Sequence, residues 1–413
     1  MKIINGMKYW GQLLLLPIYW LSFLFPRDKK IWLFGSTFGR RFADNPKYLY
    51  LYIAQHKKEL GIRPIWITQE QGIVRLLEKN GYEAYHYHSL NGIWYALRGK
   101  VYLFDNYSKD INFWLSGGAL KVNLWHGIPL KKIQADNKFD TVRHPGNTWE
   151  WVKAFPRRLS DEKPSHYVLT TSNFMKPVFA SAFRTGHVLT SGYPRNDRLV
   201  QKNSIKNILS DAEHGSMKEI QSLLKKEGIR KMIYYMPTFR ESEAEFFKVV
   251  KIEKFQKFLE ENRFLFCMKL HPKSKLGKEF RRIRGNHILM IDADADPYIF
   301  LEKADVLVTD YSSVYFDFLL TDRPVVFFDY DLQEYLHSSR EMYFDYQKVT
   351  PGQKAATGEE LEKALLRACS PDKEYRGHYG KFRAFVAGKV FDDREGAASL
   401  RLADDIKKIL GGL

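Results

Sequence analysis

A chain of 413 residues that is 45% hydrophobic and 15% aromatic has enough apolar side chain for about two or three ordinary cores, which excludes a mainly disordered protein. Its two cysteines, Cys267 and Cys369, lie far apart and form no CxxC pair, which argues against a disulfide framework or structural zinc and for a reducing compartment. The net charge of +17 favours anionic partners (nucleic acid, anionic lipid or phosphorylated compounds) without choosing among them.

Tyr9 to Phe25 reads YWGQLLLLPIYWLSFLF, uncharged, with Lys2 and Lys8 before it and Arg27, Lys29 and Lys30 after it. As a helix its 17 residues reach about 26 Å at ~1.5 Å per residue, slightly short of a bilayer core. Pro17 is expected to kink such a helix. No small-residue cleavage site follows, so a cleaved signal peptide is not indicated. The flanking cations and the Trp/Tyr content suit a segment lying among lipid headgroups. A buried first helix fits nearly as well, and a single span is the third reading.

From Ile31 onward, short apolar runs alternate with helix-like stretches. IWLFG (31–35), PIWIT (64–68), VYLFD (101–105), KVNLW (121–125) and YVLTT (167–171) read as buried strands. Tyr48 to Lys58 and Gly72 to Asn80 carry helical spacing. After the turn-rich Gly192-Tyr-Pro-Arg-Asn-Asp197, the polar, helix-prone Gln201 to Lys226 marks a boundary near residue 200. KMIYYMP (231–237), FLFCMKL (264–270), HILMID (287–292), DVLVTD (305–310) and PVVFFD (324–329) repeat the theme. The expected architecture is α/β, with two doubly wound Rossmann-type domains facing a cleft.

In such folds ligands bind at the carboxyl ends of strands, beside helix N-termini. Four clusters sit there. His126-Gly127 follows Trp125; Pro237-Thr238-Phe239-Arg240 follows KMIYYM; Lys269 and His271 close FLFCM; Asp310-Tyr311-Ser312-Ser313 follows DVLVT. Each has a plainer alternative. His126 and His271 are also what a turn histidine looks like. Ser312 and Ser313 are also ordinary N-caps, although adjacent serines at a strand end in a basic protein favour a phosphate. Arg240 can fork onto phosphate or pair with Glu241 or Glu243. Asp292-Ala-Asp-Ala-Asp296 has half the spacing of a calcium loop, but the required Gly and Glu are missing, so it reads as a loop able to line a base pocket. His86 and His88 have no further ligand nearby in sequence, which makes a metal site improbable.

The stretches LWHGIPLKK, SGYPRND, MPTFR, KLHP, ADVLVTDYSSVYFDFLLTDRPVVFF and FDDREGAAS occur in that order. Together they resemble the CDP-glycerol glycerophosphotransferase family, which includes the teichoic acid primases and polymerases. The resemblance implies the two-domain GT-B fold. It also implies transfer of a polyol phosphate from CDP-glycerol or CDP-ribitol to a hydroxyl of a lipid-diphosphate-linked saccharide or polyol-phosphate acceptor, with release of CMP. On this reading 1–29 is a hydrophobic, basic membrane-associating segment and 30–200 the acceptor-side domain. Residues 201–413 form the CDP-polyol-binding domain, whose last helix can return to the first domain. The expected place is the cytoplasmic face of a bacterial membrane, as a peripheral or monotopic protein serving teichoic acid or capsule synthesis.

By the same resemblance His126 is the general base, and His271 contacts the donor diphosphate and helps CMP leave. Thr238 and Arg240 lie beside the donor, with Lys269 assisting. Ser312 and Ser313 hold phosphate, Gly127 allows close approach, and Asp310 fixes the loop. Arg195 and Asn196 read as hinge or structural residues first. Asp317 is expected to pair locally, with Arg323 for instance. Lys131 and Lys132 fit either an acceptor phosphate or a solvated helix start. No cofactor is implied, and a divalent cation such as Mg2+ is compatible with a diphosphate donor. Two other classes compete. One is a nucleotide-sugar GT-B glycosyltransferase, against which the ordered motifs argue. The other is a basic nucleic-acid or membrane-binding protein; no nucleic-acid module is present in the sequence, so nucleic acid is not an expected partner.

Overall fold

A computed structural model describes residues 9–161, 165–201, 205–238, 245–270, 285, 287–332, 341–370 and 373–412. The chain forms two compact units. The first comprises 1–126, 132–208 and 391–413, and the second 127–131 and 209–390. The change thus falls after Ile208 rather than near residue 200, and the last 23 residues count with the first unit.

The first unit holds a seven-stranded parallel sheet in the order β3-β2-β1-β4-β5-β6-β7. Its strands are β1 Asp28–Phe34, β2 Arg63–Thr68, β3 Ala84–His86, β4 Gly99–Phe104, β5 Leu120–Asn123, β6 Tyr167–Leu169 and β7 Val188–Leu189. The longer strands are buried on both faces, which explains why they read as unbroken apolar runs. Ile31, Leu33, Ile65, Ile67, Tyr102 and Phe104 pack one face. Each such side chain contributes about 1.5–3 kcal/mol on burial. β3 and β7 escape the sequence reading because strands this short carry no usable pattern.

The second unit holds a six-stranded parallel sheet in the order β10-β9-β8-β11-β12-β13. Its strands are β8 Lys231–Tyr235, β9 Phe264–Met268, β10 Ile288–Met290, β11 Val306–Thr309, β12 Val325–Phe328 and β13 Gln353–Ala355. The core joins Ile233, Phe266, Val308 and Phe328 to Phe255, Leu259, Leu361 and Leu365 from the helices. Among the described residues, the polar stretch 201–226 is helical at Asp211–Lys226. There Ser210 and Glu213 form a reciprocal capping box that fixes the start.

Both sheets run outward from a central pair, β1/β4 in one and β8/β11 in the other. At such a switch point the chain leaves neighbouring strands in opposite directions and opens a crevice at their carboxyl ends.

The N-terminal segment departs from the expected single helix. It is a 3-10 turn Gln12–Leu15, a helix Leu16–Leu21 and a second 3-10 turn Ser22–Leu24. Pro17 does not sit inside a helix but in the first turn of Leu16–Leu21, where its missing N–H costs no bond. Tyr19 is buried and stacks on Phe113, with ring centroids 4.9 Å apart. The Ser22 hydroxyl accepts the Gly117 N–H at 2.9 Å, and Arg27 donates to the carbonyls of Ala96, Gly99, Leu115 and Gly117. Leu14, Trp20, Leu21 and Leu24 remain exposed. Among the described residues no helix is long and apolar enough to cross a membrane.

Candidate active site

His126 lies three residues beyond β5 on a sharply turned backbone. Trp125 takes a left-handed φ of 50° and Gly127 a φ of 155°. A left-handed tryptophan costs of order 1–3 kcal/mol, so surrounding contacts must impose it. Two buried asparagines do so. Asn45 donates through Nδ2 to the carbonyls of Leu124 (3.1 Å) and Trp125 (2.9 Å). Asn123 Oδ1 accepts the Trp125 N–H at 2.9 Å, and its Nδ2 donates to the Asn106 carbonyl. The imidazole is exposed and lies over the Trp125 indole, with centroids 3.9 Å apart. Its Nδ1 is 3.0 Å from the Asp105 carbonyl oxygen. A carbonyl only accepts, so Nδ1 carries the proton and Nε2 holds the lone pair of the neutral ring. That is the tautomer a general base needs.

The Asp105 that positions this ring follows β4 at the switch point of the first sheet. Its carboxylate accepts from Ser36 Oγ (2.5 Å), the Thr37 N–H (3.0 Å) and Asn106 Nδ2 (2.7 Å). Asp110 lies beside it and accepts the backbone N–H groups of Phe38 and Asn106. Burial raises the pKa of both, Asp110 the more, and the charge of Asp44 adds to the rise at Asp105. The charge of Asp105 adds to the rise at Asp110. Ser36, Asn45, Asp105 and Asp110 were missed by the sequence reading. Ser36 and Asp105 stand at the ends of IWLFG and VYLFD, so the strand-end rule applied there would have found them.

In the second unit, residues from two of the motifs meet at the β8/β11 switch point. Asp310 is buried, and its carboxylate accepts the Thr238 N–H at 2.9 and 3.0 Å, the Thr238 hydroxyl at 2.7 Å and the Ser312 N–H at 3.2 Å. Ser312 and Ser313 are half-buried and precede the short helix Val314–Phe318. Ser313 makes no side-chain cap, so the N-cap alternative does not describe it. Lys269, buried after β9, donates through Nζ to the Ala293 carbonyl at 2.6 Å, which ties it to the Asp292–Asp296 loop. Asp296 caps the helix Pro297–Leu301. His271 and Arg240 lie outside the described residues. Gly127–Lys131 counts with this unit, and Lys131 pairs antiparallel with Met342. Lys131 and Lys132 therefore do not start a helix.

Other expectations resolve differently. Asp317 accepts from the Tyr298 hydroxyl, while Arg323 donates to the carbonyls of Leu301, Glu302 and Ala304 instead of pairing with it. Arg195 is buried against Asp44 at 2.7 Å. Asp197 accepts the N–H groups of Ala398 and Ser399 at the start of the last helix, Ala398–Gly411. Both belong to the frame of the first unit. Among the described residues no cluster of three His, Cys, Asp or Glu side chains is placed to hold a metal.

A sequence model of the family described as "CDP-Glycerol:Poly(glycerophosphate) glycerophosphotransferase" matches residues 18–408. The teichoic acid poly(glycerol phosphate) polymerase of Bacillus spizizenii is 28% identical over 392 residues, 91% of this chain and 94% of that protein. The teichoic acid glycerol-phosphate transferase of Staphylococcus aureus is also 28% identical over 392 residues, 92% of this chain and 94% of that protein. The solved structure of the wall teichoic acid polymerase TagF superposes with a TM-score of 0.70 at 22% identity, over 100% of this chain and 97% of that one. That likeness is one of fold.

Proposed function

Because the chain belongs to the CDP-glycerol:poly(glycerophosphate) glycerophosphotransferase family, we propose that it transfers glycerol phosphate from CDP-glycerol to a hydroxyl of a membrane-lipid-linked acceptor in teichoic acid or capsule-type polymer synthesis. The acceptor oxygen attacks the phosphorus that bears the glycerol. The P–O bond to CMP breaks, and CMP departs with the electron pair. His126 Nε2 takes the hydroxyl proton. The observation that carries this role is the Nδ1–H bond to the Asp105 carbonyl, which leaves Nε2 as the accepting nitrogen. Ser312, Ser313 and the Thr238 loop anchored by Asp310 hold donor phosphate, with Lys269 supplying positive charge nearby. His271 and Arg240 serve the donor as the family motif implies.

The protein works peripherally at the cytoplasmic membrane face. Support comes from the exposed Trp20, Leu21 and Leu24 and from the helix Thr148–Asp161, which exposes Trp149, Trp151 and Phe155 among Lys153, Arg157 and Arg158. The Tyr9 hydroxyl bonds the Lys153 carbonyl at 2.7 Å, which ties the two apolar surfaces together.

The deciding experiment measures CMP release from CDP-glycerol and from CDP-ribitol, each with a short lipid-diphosphate-linked acceptor. Acceptor-dependent release from CDP-glycerol, lost in a folded His126→Ala protein, is expected. Consumption of a UDP-sugar without CMP from either donor would overturn the reading. Vesicle sedimentation of Trp149→Ser/Trp151→Ser tests the membrane part, with weaker sedimentation expected.

A further inference from the structure

The first unit contains a cavity with a largely apolar lining and several basic side chains, at the opposite end of its sheet from His126. It opens at the amino ends of β4 to β7 and encloses about 370 Å³, within the size range of small-ligand pockets. Four basic side chains line it, Lys100, Lys121, His166 and His187, and its lining includes no aspartate or glutamate. Its other wall is aromatic: Tyr19 and Phe23 come from the N-terminal segment, Phe23 partly exposed beside Leu24.

The interior of this pocket is organised. Lys121 is nine-tenths buried, with Nζ 5.5 Å from the Tyr19 ring centroid and 5.8 Å from that of Phe113. The Lys121 N–H donates to His166 Nδ1 at 2.9 Å. That nitrogen is therefore an acceptor, and neutral His166 carries its proton on Nε2 as a donor. Burial, then the charges of Lys121, Lys100 and His187, lower the pKa of His166. An anion in the pocket would reverse the electrostatic part of that shift. Lys100 Nζ contacts the Gly118 carbonyl at 3.4 Å, and the His187 ring packs on Tyr167.

We propose that this pocket binds the phosphate of an anionic phospholipid headgroup. The basic side chains supply donors and charge for the phosphate. The aromatic wall belongs to the segment whose other side chains, Trp20, Leu21 and Leu24, are exposed and apolar, which places acyl chains on the outer side of the pocket. The site is separate from the groups proposed for phosphate transfer.

The test uses the full chain and monomeric dihexanoyl phosphatidylglycerol below its micelle-forming concentration, titrated calorimetrically. Dihexanoyl phosphatidylcholine and inorganic phosphate are the comparison arms. Phosphatidylglycerol should bind saturably, more tightly than either, and about tenfold or more weakly to Lys100→Gln/His187→Gln. Lys121→Met should weaken it as well, and the double variant, altered only at the rim, keeps the test valid if Lys121→Met does not fold. CMP release in solution should be unchanged in the double variant. Inorganic phosphate binding as tightly as the lipid would overturn the lipid assignment. Equal affinity for phosphatidylcholine, or no loss in the double variant, would overturn the site. No bilayer is present, so the result is independent of vesicle sedimentation and of the transfer assay.

Discussion

Thr238 and Asp310, 72 positions apart, meet at the carboxyl ends of the adjacent strands β8 and β11, where Thr238 donates both its N–H and its hydroxyl to one buried carboxylate. The pair sets the backbone of both loops at the switch point of the second sheet. Thr238→Val removes one of these donors and should lower stability by about 1 kcal/mol, whereas Asp310→Ala strands several and should cost roughly 2–3 kcal/mol. Urea unfolding of the two variants measures this. Equal losses would mean that the carboxylate does not organise the loops.

Asn45 acts on His126 from a distance. With its Nδ2 gone, the carbonyls of Leu124 and Trp125 lose their buried donor and the left-handed Trp125 loses its constraint. Asn45→Ala is expected to cost about 1–3 kcal/mol of stability. It should also lower kcat for CMP release more than it raises KM, because the imidazole is displaced while the groups proposed to bind donor are not altered. Steady-state kinetics separates the two; a pure KM effect would contradict the assignment.

Lys354 gives a pH signature. Burial lowers its pKa to about 8, and its Nζ donates to the Thr350 carbonyl at 2.6 Å. A base with a depressed folded pKa binds its proton more weakly folded than unfolded. Between about pH 8 and the ordinary lysine value near 10.4 the unfolded chain therefore holds more protons, and this group's contribution makes stability rise with pH. The urea midpoint of wild type should gain over that window relative to Lys354→Met. Parallel pH profiles for the two proteins would rule the effect out.

Asp197 caps the last helix through Ala398 and Ser399. Asp197→Ala should cost about 1–2 kcal/mol, as loss of an N-cap does. Limited proteolysis should then cut faster between residues 391 and 397. Unchanged cleavage there would show that other contacts hold the helix.

The central strands were legible because both faces of a parallel sheet are covered, which writes them as apolar runs such as IWLF and VVFF. The strand-end rule then picked out His126, Thr238, Lys269 and Asp310. What it missed was side-chain support from far along the chain. Asn45, and Asp110 through the Phe38 N–H, act on backbone groups that no local pattern connects to them. Asp317 was matched with the nearby Arg323 because sequence distance was the only guide, whereas packing brought Tyr298 to it. The N-terminal run left its three readings open for a similar reason. Its apolar content is shared between a docked face, with Tyr19 and Ser22, and an exposed one, and hydropathy alone does not distinguish the two.

The return of residues 391–413 to the first unit bears on how the protein is made. The bulk of that unit is translated before the second unit, but its last helix only after it. At ~5–20 residues per second, the stretch after residue 208 takes roughly 10–40 s. For that time Asp197 waits on the ribosome-bound chain without the backbone groups it caps. The second unit, continuous in sequence apart from residues 127–131, can complete its sheet earlier. Order of synthesis and order of completion are thus opposite in this chain, and an expressed fragment ending at residue 208 would lack part of its own fold.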